Sequence, residues 1–146
     1  MRALIQRVAQ AAVSVDGRQV AAIGRGFLVL LGVARADGEA EAAYLAKKTA
    51  QLRVFPDQAG KLNLSLLDIA GAALVVSQFT LCADTKRGNR PSFDQAAPAD
   101  QANALYQLYA RLLAEQGVTV ATGIFQADML VDLANDGPVT ILLESK

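Results

Sequence analysis

The sequence contains no histidine, and this absence limits the chemistry that the chain can perform. Without histidine, neither a Ser-His-Asp nor a Cys-His arrangement can form, and the side chain that ordinarily titrates near neutral pH is missing. The single cysteine, Cys82, excludes an intramolecular disulfide and any multi-cysteine metal site. If this chain is a hydrolase, it must find its proton acceptor elsewhere.

The sequence also lacks an excess of charge of either sign, since 14 Lys and Arg residues balance 14 Asp and Glu residues. Proteins that grip long nucleic acids usually carry a positive excess, so any RNA contact should be local, such as one chain end. No apolar run approaches the roughly 18 residues of a membrane span, and no signal-peptide pattern is present. These absences lead us to expect a cytoplasmic protein with a single domain, residues 1–146.

Apolar patterning and turn residues predict an α+β domain with a mixed, mostly antiparallel sheet. The Asp16-Gly17 pair favours a tight hairpin turn, because both residues tolerate positive φ. The predicted strands are residues 3–8, 12–15, 18–23, 27–31, 62–66, 73–76, 118–122, 130–134 and 139–143.

Two main helices are expected to pack on this sheet. Asp37 is predicted to cap the first helix, whose apolar face includes Ala42, Leu45, Thr49 and Leu52. Pro98 is predicted to open the second helix and Gly117 to end it. Residues 81–97 show no period, which is typical of a functional or mobile loop, and their role is left open.

Two segments combine residue types that suit a functional site. Ser77-Gln78-Phe79-Thr80-Leu81 follows a buried strand with three hydrogen-bonding side chains around an aromatic ring. Asn135-Asp136-Gly137-Pro138-Val139-Thr140 contains a proline that cannot donate to a sheet ladder and a glycine with wide backbone freedom. Taken singly, each segment also fits ordinary turn chemistry. The sequence leaves open whether the Gly137-Pro138 bond is cis.

Together these segments resemble the two signature motifs of the D-aminoacyl-tRNA deacylase family. The resemblance spans essentially the whole chain and includes residues 1–8, 63–65, 90–93 and 123–129. It implies a homodimer that hydrolyses the ester bond of D-aminoacyl-tRNA and of glycyl-tRNA mischarged on tRNA-Ala, without metal or cofactor. It further implies chiral proofreading, in which L-aminoacyl-tRNA is rejected, with the tRNA acceptor end as partner and no membrane association.

The resemblance also implies roles for individual residues. Catalysis would fall to Ser77, Gln78, Phe79 and Thr80. Gly137 and Pro138 of the opposite subunit would form a main-chain clamp for the substrate amino group, and Arg7 would orient that clamp. Phe125 and Met129 would line the pocket for the terminal adenosine. Lys86, Arg87 and Arg90 form a basic cluster that could instead be solvated surface or contact the tRNA acceptor end.

Several alternatives remain open at the level of sequence. The family is thought to let the 2′-hydroxyl of the tRNA assist attack by water, whereas Thr80 acting as a covalent nucleophile is the competing mechanism. A non-catalytic nucleic-acid-binding module and a dimeric small-ligand-binding protein are rival functions. Cys82 is expected to be a partly buried side chain without a catalytic role, and three tyrosines are expected to pack on helical faces: Tyr44, Tyr106 and Tyr109.

Overall fold

The computed structural model of the protein describes residues 1–86 and 88–145. These residues form eight strands and two helices. In order, they are β1 (Arg2–Val15), β2 (Arg18–Ile23), β3 (Gly26–Gly32), α1 (Glu39–Gln51), β4 (Phe55–Pro56), β5 (Leu62–Leu64), β6 (Ala72–Ser77), α2 (Ala99–Glu115), β7 (Thr119–Thr122) and β8 (Leu130–Glu144). A short 3₁₀ turn, Phe79–Cys82, follows β6.

The main sheet has six strands, and the long strand β1 is its organising element. The order is β2-β1-β3-β6-β7, and β8 runs antiparallel to β1 as well. The β1 pairings with β2 and β3 are antiparallel, whereas β3 with β6 and β6 with β7 are parallel. Strand β2 also contacts β6 and β7, so the sheet curls into a nearly closed, barrel-like form. The predicted α+β class with a mixed, mostly antiparallel sheet is confirmed.

Both helices pack on the sheet through one apolar core. The core includes Phe27 from β3, Leu45 from α1 and Leu113 from α2, all essentially without solvent exposure. The buried hydroxyls of Thr49 and Tyr109 join the two helices through a 2.7 Å hydrogen bond. Neither helix in the described part of the chain combines the length and apolar character needed to cross a bilayer.

Some local predictions were right and others were wrong. Asp16 and Gly17 both adopt positive φ, at 51° and 73°, in the predicted hairpin turn. The predicted cap of α1 was wrong, because Gly38 is the cap residue. The carboxylate of Asp37 instead accepts hydrogen bonds from the Met1 amine at 2.5 Å and the Ala34 amide at 2.6 Å. Leu52 lies just beyond the helix.

The described residues of the segment 81–97, which exclude Arg87, are more ordered than the sequence predicted. It begins within the 3₁₀ turn, and two isolated bridges fasten it: Asp84 pairs with Ser92, and Ala34 pairs with Ala96. Backbone hydrogen bonds of 2.8 Å and 2.9 Å join Asp84 and Ser92 in both directions. The loop that follows β6 is therefore restrained by backbone hydrogen bonds.

Candidate active site

A cleft of about 580 Å³ opens where the parallel strands β3 and β6 end. In open α/β sheets the carboxyl ends of strands are the usual place for ligands. One wall carries the first motif, Ser77-Gln78-Phe79, and the opposite wall carries the segment 125–129, which follows β7. Residues of α2, including Ala102 and Tyr106, close the side between them.

The backbone of the first motif is fixed against β3. The Gln78 amide donates to the Leu31 carbonyl at 2.8 Å, which continues the β3–β6 pairing past the end of the strand. A Cβ at Gly32 would lie 2.9 Å from Cβ of Leu81, so only glycine permits this close approach. From outside, Arg2 donates to the Leu81 carbonyl at 2.6 Å. The backbone of the motif is therefore held by β3 on one side and by the Arg2 side chain on the other.

The side chains of the first motif differ in where they point. Ser77 and Gln78 are partly buried in the cleft wall, whereas the Phe79 ring is 57% exposed. Phe79 rests edge-on against Phe93, with 5.0 Å between ring centroids. Thr80 is exposed and does not line the cleft; its hydroxyl accepts a 2.5 Å hydrogen bond from Nε2 of Gln78. An amide cannot act as a general base, so this contact does not activate Thr80 as a nucleophile.

The backbone of the same turn offers hydrogen-bond donors. The amides of Leu81 and Ala83 donate to the carbonyls of Gln78 and Thr80. No acceptor for the Phe79 or Thr80 amide lies within residues 1–86 and 88–145, as is usual for the first amides of a helical turn. Amides without an internal acceptor can stabilise a developing negative charge, and of these two residues Phe79 lines the cleft.

The opposite wall combines apolar residues with two polar ones, Gln126 and Asp128. Phe125 and Met129 both line the cleft, as does Gln126, whose φ of 63° is uncommon for a residue other than glycine. The Phe125 ring lies 5.9 Å from the ring of Tyr106. A Cβ at Gly123 would lie 2.7 Å from Sδ of Met129, so this glycine leaves room for the methionine.

Sequence reasoning assigned Tyr106 to packing alone, and the structure places it in the cleft as well. Its hydroxyl donates to the Val75 carbonyl at 2.9 Å, and burial raises the pKa of Tyr106, so it stays a neutral donor. The signal that could have indicated this role is the position of Tyr106 on α2. Ala99, Ala102 and Tyr106 share one face of α2, and all three line the cleft.

The second motif forms a protruding bulge in β8. Gln6 pairs with Thr140 and Val8 pairs with Asn135, so residues 136–139 stand opposite Arg7 alone. The two predicted strands, 130–134 and 139–143, are thus parts of one strand. The Gly137-Pro138 peptide bond is cis, and Gly137 has φ 129°. Both residues are exposed.

Arg7 holds this bulge from beneath. Only 7% of Arg7 is exposed, and its Nη1 donates to the Val54 carbonyl at 2.6 Å. Its Nε donates to the Asp136 carbonyl at 3.0 Å. Asn135 adds a second brace, because its side-chain oxygen accepts from the Val139 amide at 3.2 Å. Arg7 therefore joins the backbone next to Gly137 to the backbone at Val54.

The two signature motifs do not meet within one chain. Gly137 and Pro138 are not part of the wall of the cleft that contains Ser77, Gln78 and Phe79. Arg7 faces the bulge and the Val54 carbonyl instead of the cleft. Within one chain the two motifs therefore lie on separate surfaces.

The remaining candidates lie outside the cleft. Lys86 and Arg90 are exposed, and Lys86 borders a separate hollow that also includes Arg2 and Asp84. Arg87 lies outside the described residues. Cys82 is buried, and this burial raises the pKa of its thiol, which disfavours the reactive thiolate. No cluster of three potential metal ligands occurs within residues 1–86 and 88–145.

Comparison with known proteins identifies the family. A family model described as "D-Tyr-tRNA(Tyr) deacylase" matches residues 4–144. The D-aminoacyl-tRNA deacylase of Anaeromyxobacter dehalogenans (strain 2CP-C) is 58% identical, over 100% of this chain and 98% of the relative. That of Syntrophotalea carbinolica (strain DSM 2380 / NBRC 103641 / GraBd1) is 61% identical, over 99% of this chain and 97% of the relative.

Two solved structures share the fold. One, described as a "c-Myc DNA Unwinding Element Binding Protein", has a TM-score of 0.94 and 42% identity, and the match covers 100% of this chain and 99% of that one. A probable eukaryotic D-amino acid tRNA deacylase has a TM-score of 0.86 at 17% identity, with 98% of each chain covered, and supports the fold alone. The matching family and the full-length relatives are named deacylases, so the chain belongs to a class of hydrolases. The chain is a member of the D-Tyr-tRNA(Tyr) deacylase family, as the sequence motifs predicted.

Proposed function

We propose that this protein hydrolyses the ester bond between a D-amino acid and the terminal adenosine of tRNA. The observation that carries the proposal is the cleft in which Ser77, Gln78 and Phe79 face Phe125 and Met129. Its volume, about 580 Å³, falls within the range of small-molecule sites and suits one nucleoside with its attached amino acid. The substrate would be met in the cytoplasm, where charged tRNA is used.

In this proposal the two walls divide the work. Phe125 and Met129 receive the terminal adenosine, since aromatic and polarisable side chains favour contact with a base. The ester carbonyl then lies at the first motif, where the amides of Phe79 and Thr80 stabilise the oxyanion. The side chains of Ser77 and Gln78 hold the ester in place.

The water that attacks the ester would be assisted by the 2′-hydroxyl of the tRNA. The chain has no histidine, and the Thr80 hydroxyl is bonded to an amide. The thiol of Cys82 stays protonated because burial raises its pKa. An ester to a ribose hydroxyl is already activated, so orientation and oxyanion stabilisation suffice.

Selection for D-configuration would come from Gly137 and Pro138 of a second copy. Their carbonyls would hold the substrate amino group and leave no room for an L side chain, which is specificity by rejection. Glycine has no side chain to clash, so glycyl-tRNA mischarged on tRNA-Ala would be accepted. Support comes from the exposure of the bulge and its absence from the cleft of its own chain.

The second copy would pack on the sheet through β8. Leu130, Leu133 and Leu142 are exposed along this strand, at 66%, 37% and 49%. Exposed apolar residues on a long edge strand are a liability unless another chain covers them. A symmetric dimer would bury the same surface on both chains and supply one clamp to each cleft.

The acceptor arm of tRNA would leave the cleft past the basic loop. Lys86 and Arg90 are exposed in the loop that follows the first motif in sequence, and Arg87 lies between them in sequence. Contacts with phosphate would position the RNA without reading its sequence. Replacing Lys86 and Arg90 by alanine should raise the KM for charged tRNA and weaken its dependence on salt, with kcat unchanged.

A non-catalytic nucleic-acid-binding module is the rival function, and one of the two similar structures is described as a DNA-binding protein. The net charge of zero argues against binding to an extended duplex. A small-ligand-binding protein would need neither the donor turn at Phe79 nor the bulge at Gly137.

The direct test is deacylation of matched D-tyrosyl-, L-tyrosyl- and glycyl-tRNA by the purified protein. We expect the D and glycyl esters to be hydrolysed and the L ester to be spared. If none of the three esters were hydrolysed, the result would favour a non-catalytic binding module. Equal hydrolysis of all three would mean an esterase without the clamp.

A further inference from the structure

The short hairpin of β4 and β5 lies behind Arg7, and none of the roles above uses it. Arg7 connects this hairpin to the bulge, since Nη1 reaches the Val54 carbonyl and Nε reaches the Asp136 carbonyl. A guanidinium group is planar and rigid, so its nitrogens cannot move independently. Any displacement of the Val54 carbonyl must therefore tilt Arg7 and shift the backbone before Gly137.

On one side, Val54 is fixed by the core. The next residue, Phe55, is fully buried, and its ring stacks on Phe27 with 5.0 Å between centroids. Phe27 is also the β3 partner of Arg7 in the sheet register. Phe55 and Arg7 thus share a single anchor, which keeps the hairpin and β1 in fixed register.

On the other side, Val54 is fixed by a surface latch, formed by Arg53 and Asn63. Nε of Arg53 donates to the Asn63 carbonyl at 2.7 Å, and Nη2 donates to the side-chain oxygen of the same residue. Asn63 in turn donates from Nδ2 to Asp57 at 3.1 Å. The latch joins two residues on opposite arms of the hairpin and so restrains the chain on the side of Val54 away from the core.

The turn beneath the latch is itself ordered by Asp57. One carboxylate oxygen of Asp57 accepts from the amides of Ala59 and Lys61, at 2.9 Å and 3.0 Å. Its other oxygen is the one that Asn63 reaches. The contacts therefore run without a gap from the turn through Asn63, Arg53, Val54 and Arg7 to Asp136.

We propose that Asn63 and Arg53 are positioning residues for the Gly137-Pro138 clamp. The inference rests on the proposed function, because only a chiral clamp makes the position of this bulge matter for selectivity. Arg53 is exposed, and its removal leaves Val54 still bonded to Arg7. Loss of the latch should therefore loosen the bulge while the fold survives, and the effect should fall on selection.

The first test compares Asn63→Ala and Arg53→Ala with Gln58→Ala, an exposed residue of the same hairpin. For D- and L-tyrosyl-tRNA, kcat/KM is measured separately. We expect the D-to-L ratio to fall about tenfold in both latch variants, since small misplacements of a positioning group have effects of this size or larger. Gln58→Ala should keep the wild-type ratio. Arg53→Lys should resemble Arg53→Ala, because lysine lacks the fork that grips both oxygens of Asn63.

The second test does not depend on activity. Hydrogen exchange of the Arg7 Nε–H and of the amides in residues 135–140 is followed by NMR in the same variants. We expect faster exchange in Asn63→Ala and Arg53→Ala but not in Gln58→Ala. Unchanged exchange at all of these groups, or an unchanged D-to-L ratio in folded latch variants of a D-selective wild type, would overturn the inference. If the wild type showed no D-selectivity but the exchange still rose, the proposed function would fail while the mechanical link between hairpin and bulge would hold.

Discussion

The Nε of Arg7 donates to the main-chain oxygen of Asp136 at 3.0 Å, and a carboxylate oxygen of Asp136 lies 3.3 Å from the same nitrogen. The arginine is almost fully buried, whereas the aspartate side chain is half exposed. A buried cation on β1 thus holds an exposed bulge on β8. This contact gives the bulge a defined place although no neighbouring strand pairs with it.

Arg7→Lys should impair D-selective hydrolysis more than it impairs folding. Lysine keeps the charge but cannot bond the Val54 and Asp136 carbonyls through one rigid group. We expect kcat/KM for D-tyrosyl-tRNA to fall at least about tenfold and the free energy of unfolding to drop by about 1–3 kcal/mol, because a buried carbonyl loses its charged donor. Urea unfolding and deacylation rates measure the two effects. Arg111→Lys, on the exposed face of α2, is the control, and a wild-type rate in Arg7→Lys would refute an orienting role.

Gly137→Ala should disturb the clamp through a direct clash. A Cβ at this position would lie 2.8 Å from Nη2 of Arg7, and φ is 129°. Backbone strain of this kind costs about 1–3 kcal/mol, so the melting temperature should fall and L-tyrosyl-tRNA should be hydrolysed relatively faster. Gly17→Ala is a matched control, since φ there is also positive, at 73°, but nothing lies within 4 Å. Equal effects of both substitutions on the D-to-L ratio would mean that the clash does not matter.

Phe79→Ala should reduce activity while leaving stability nearly unchanged. The ring is mostly exposed and touches Phe93 at the mouth of the cleft, so little of it supports the core. We expect at least about a tenfold loss of kcat/KM and a change in unfolding free energy below about 1 kcal/mol. Tyr44→Ala removes a comparably exposed aromatic ring from α1 and should leave the rate intact. An active Phe79→Ala protein would remove this residue from the site.

Local patterns predicted most of the strands and both helices because their signals are contained in neighbouring residues. Strand alternation, the Asp16-Gly17 turn and the helix face through Leu45 need no knowledge of the rest of the chain. The cap of α1 was predicted wrongly because Asp37 has a partner from far away in sequence, the Met1 amine. Sequence patterns do not record such tertiary competition for a side chain.

The site likewise has residues that could be predicted from the sequence and others that depend on tertiary contacts. The resemblance to the family named five residues, and the structure brings them to one cleft: Ser77, Gln78, Phe79, Phe125 and Met129. Tyr106 was assigned to packing because a tyrosine on a helical face usually packs, and its role at the cleft depends on where α2 crosses the sheet. The latch between Arg53 and Asn63 could not be predicted, since one of its acceptors is the main-chain carbonyl of Asn63, which no side-chain pattern encodes.

The two mechanisms left open by the sequence predict different responses to the substrate. We expect tRNA that ends in 2′-deoxyadenosine to be deacylated at least about tenfold more slowly, because it lacks the assisting hydroxyl. Thr80→Val should have a smaller effect, since the Thr80 hydroxyl is bonded only to the amide of Gln78 within the described residues. Unchanged hydrolysis of the deoxy substrate, together with an inactive Thr80→Val protein, would favour covalent catalysis by threonine.

Stability should fall at alkaline pH, in part through Tyr109. Burial raises the pKa of Tyr109 well above its ordinary value of 10.0. The folded state therefore holds this proton more tightly, so the stabilisation is complete below about pH 10 and is lost as the pH rises further. Tyr109→Phe should be less stable than wild type by about 1–2 kcal/mol at pH 8, because Thr49 loses its buried partner. In urea unfolding the difference should narrow above pH 10, and a constant difference up to pH 11.5 would contradict the assignment.

The central claim is that each active site combines the first motif of one subunit with the clamp of another, and co-expression of an inactive and an unselective variant tests it most directly. Phe79→Ala and Pro138→Ala chains, carrying different tags, are expressed together, and mixed dimers are isolated through both tags. In a mixed dimer one site has both defects and the other has neither, so about half of the wild-type D-tyrosyl-tRNA deacylation per dimer should be present, with L-tyrosyl-tRNA spared as in the wild type. Mixed dimers that hydrolyse L-tyrosyl-tRNA as readily, relative to the D ester, as the Pro138→Ala parent does would contradict a site shared between subunits.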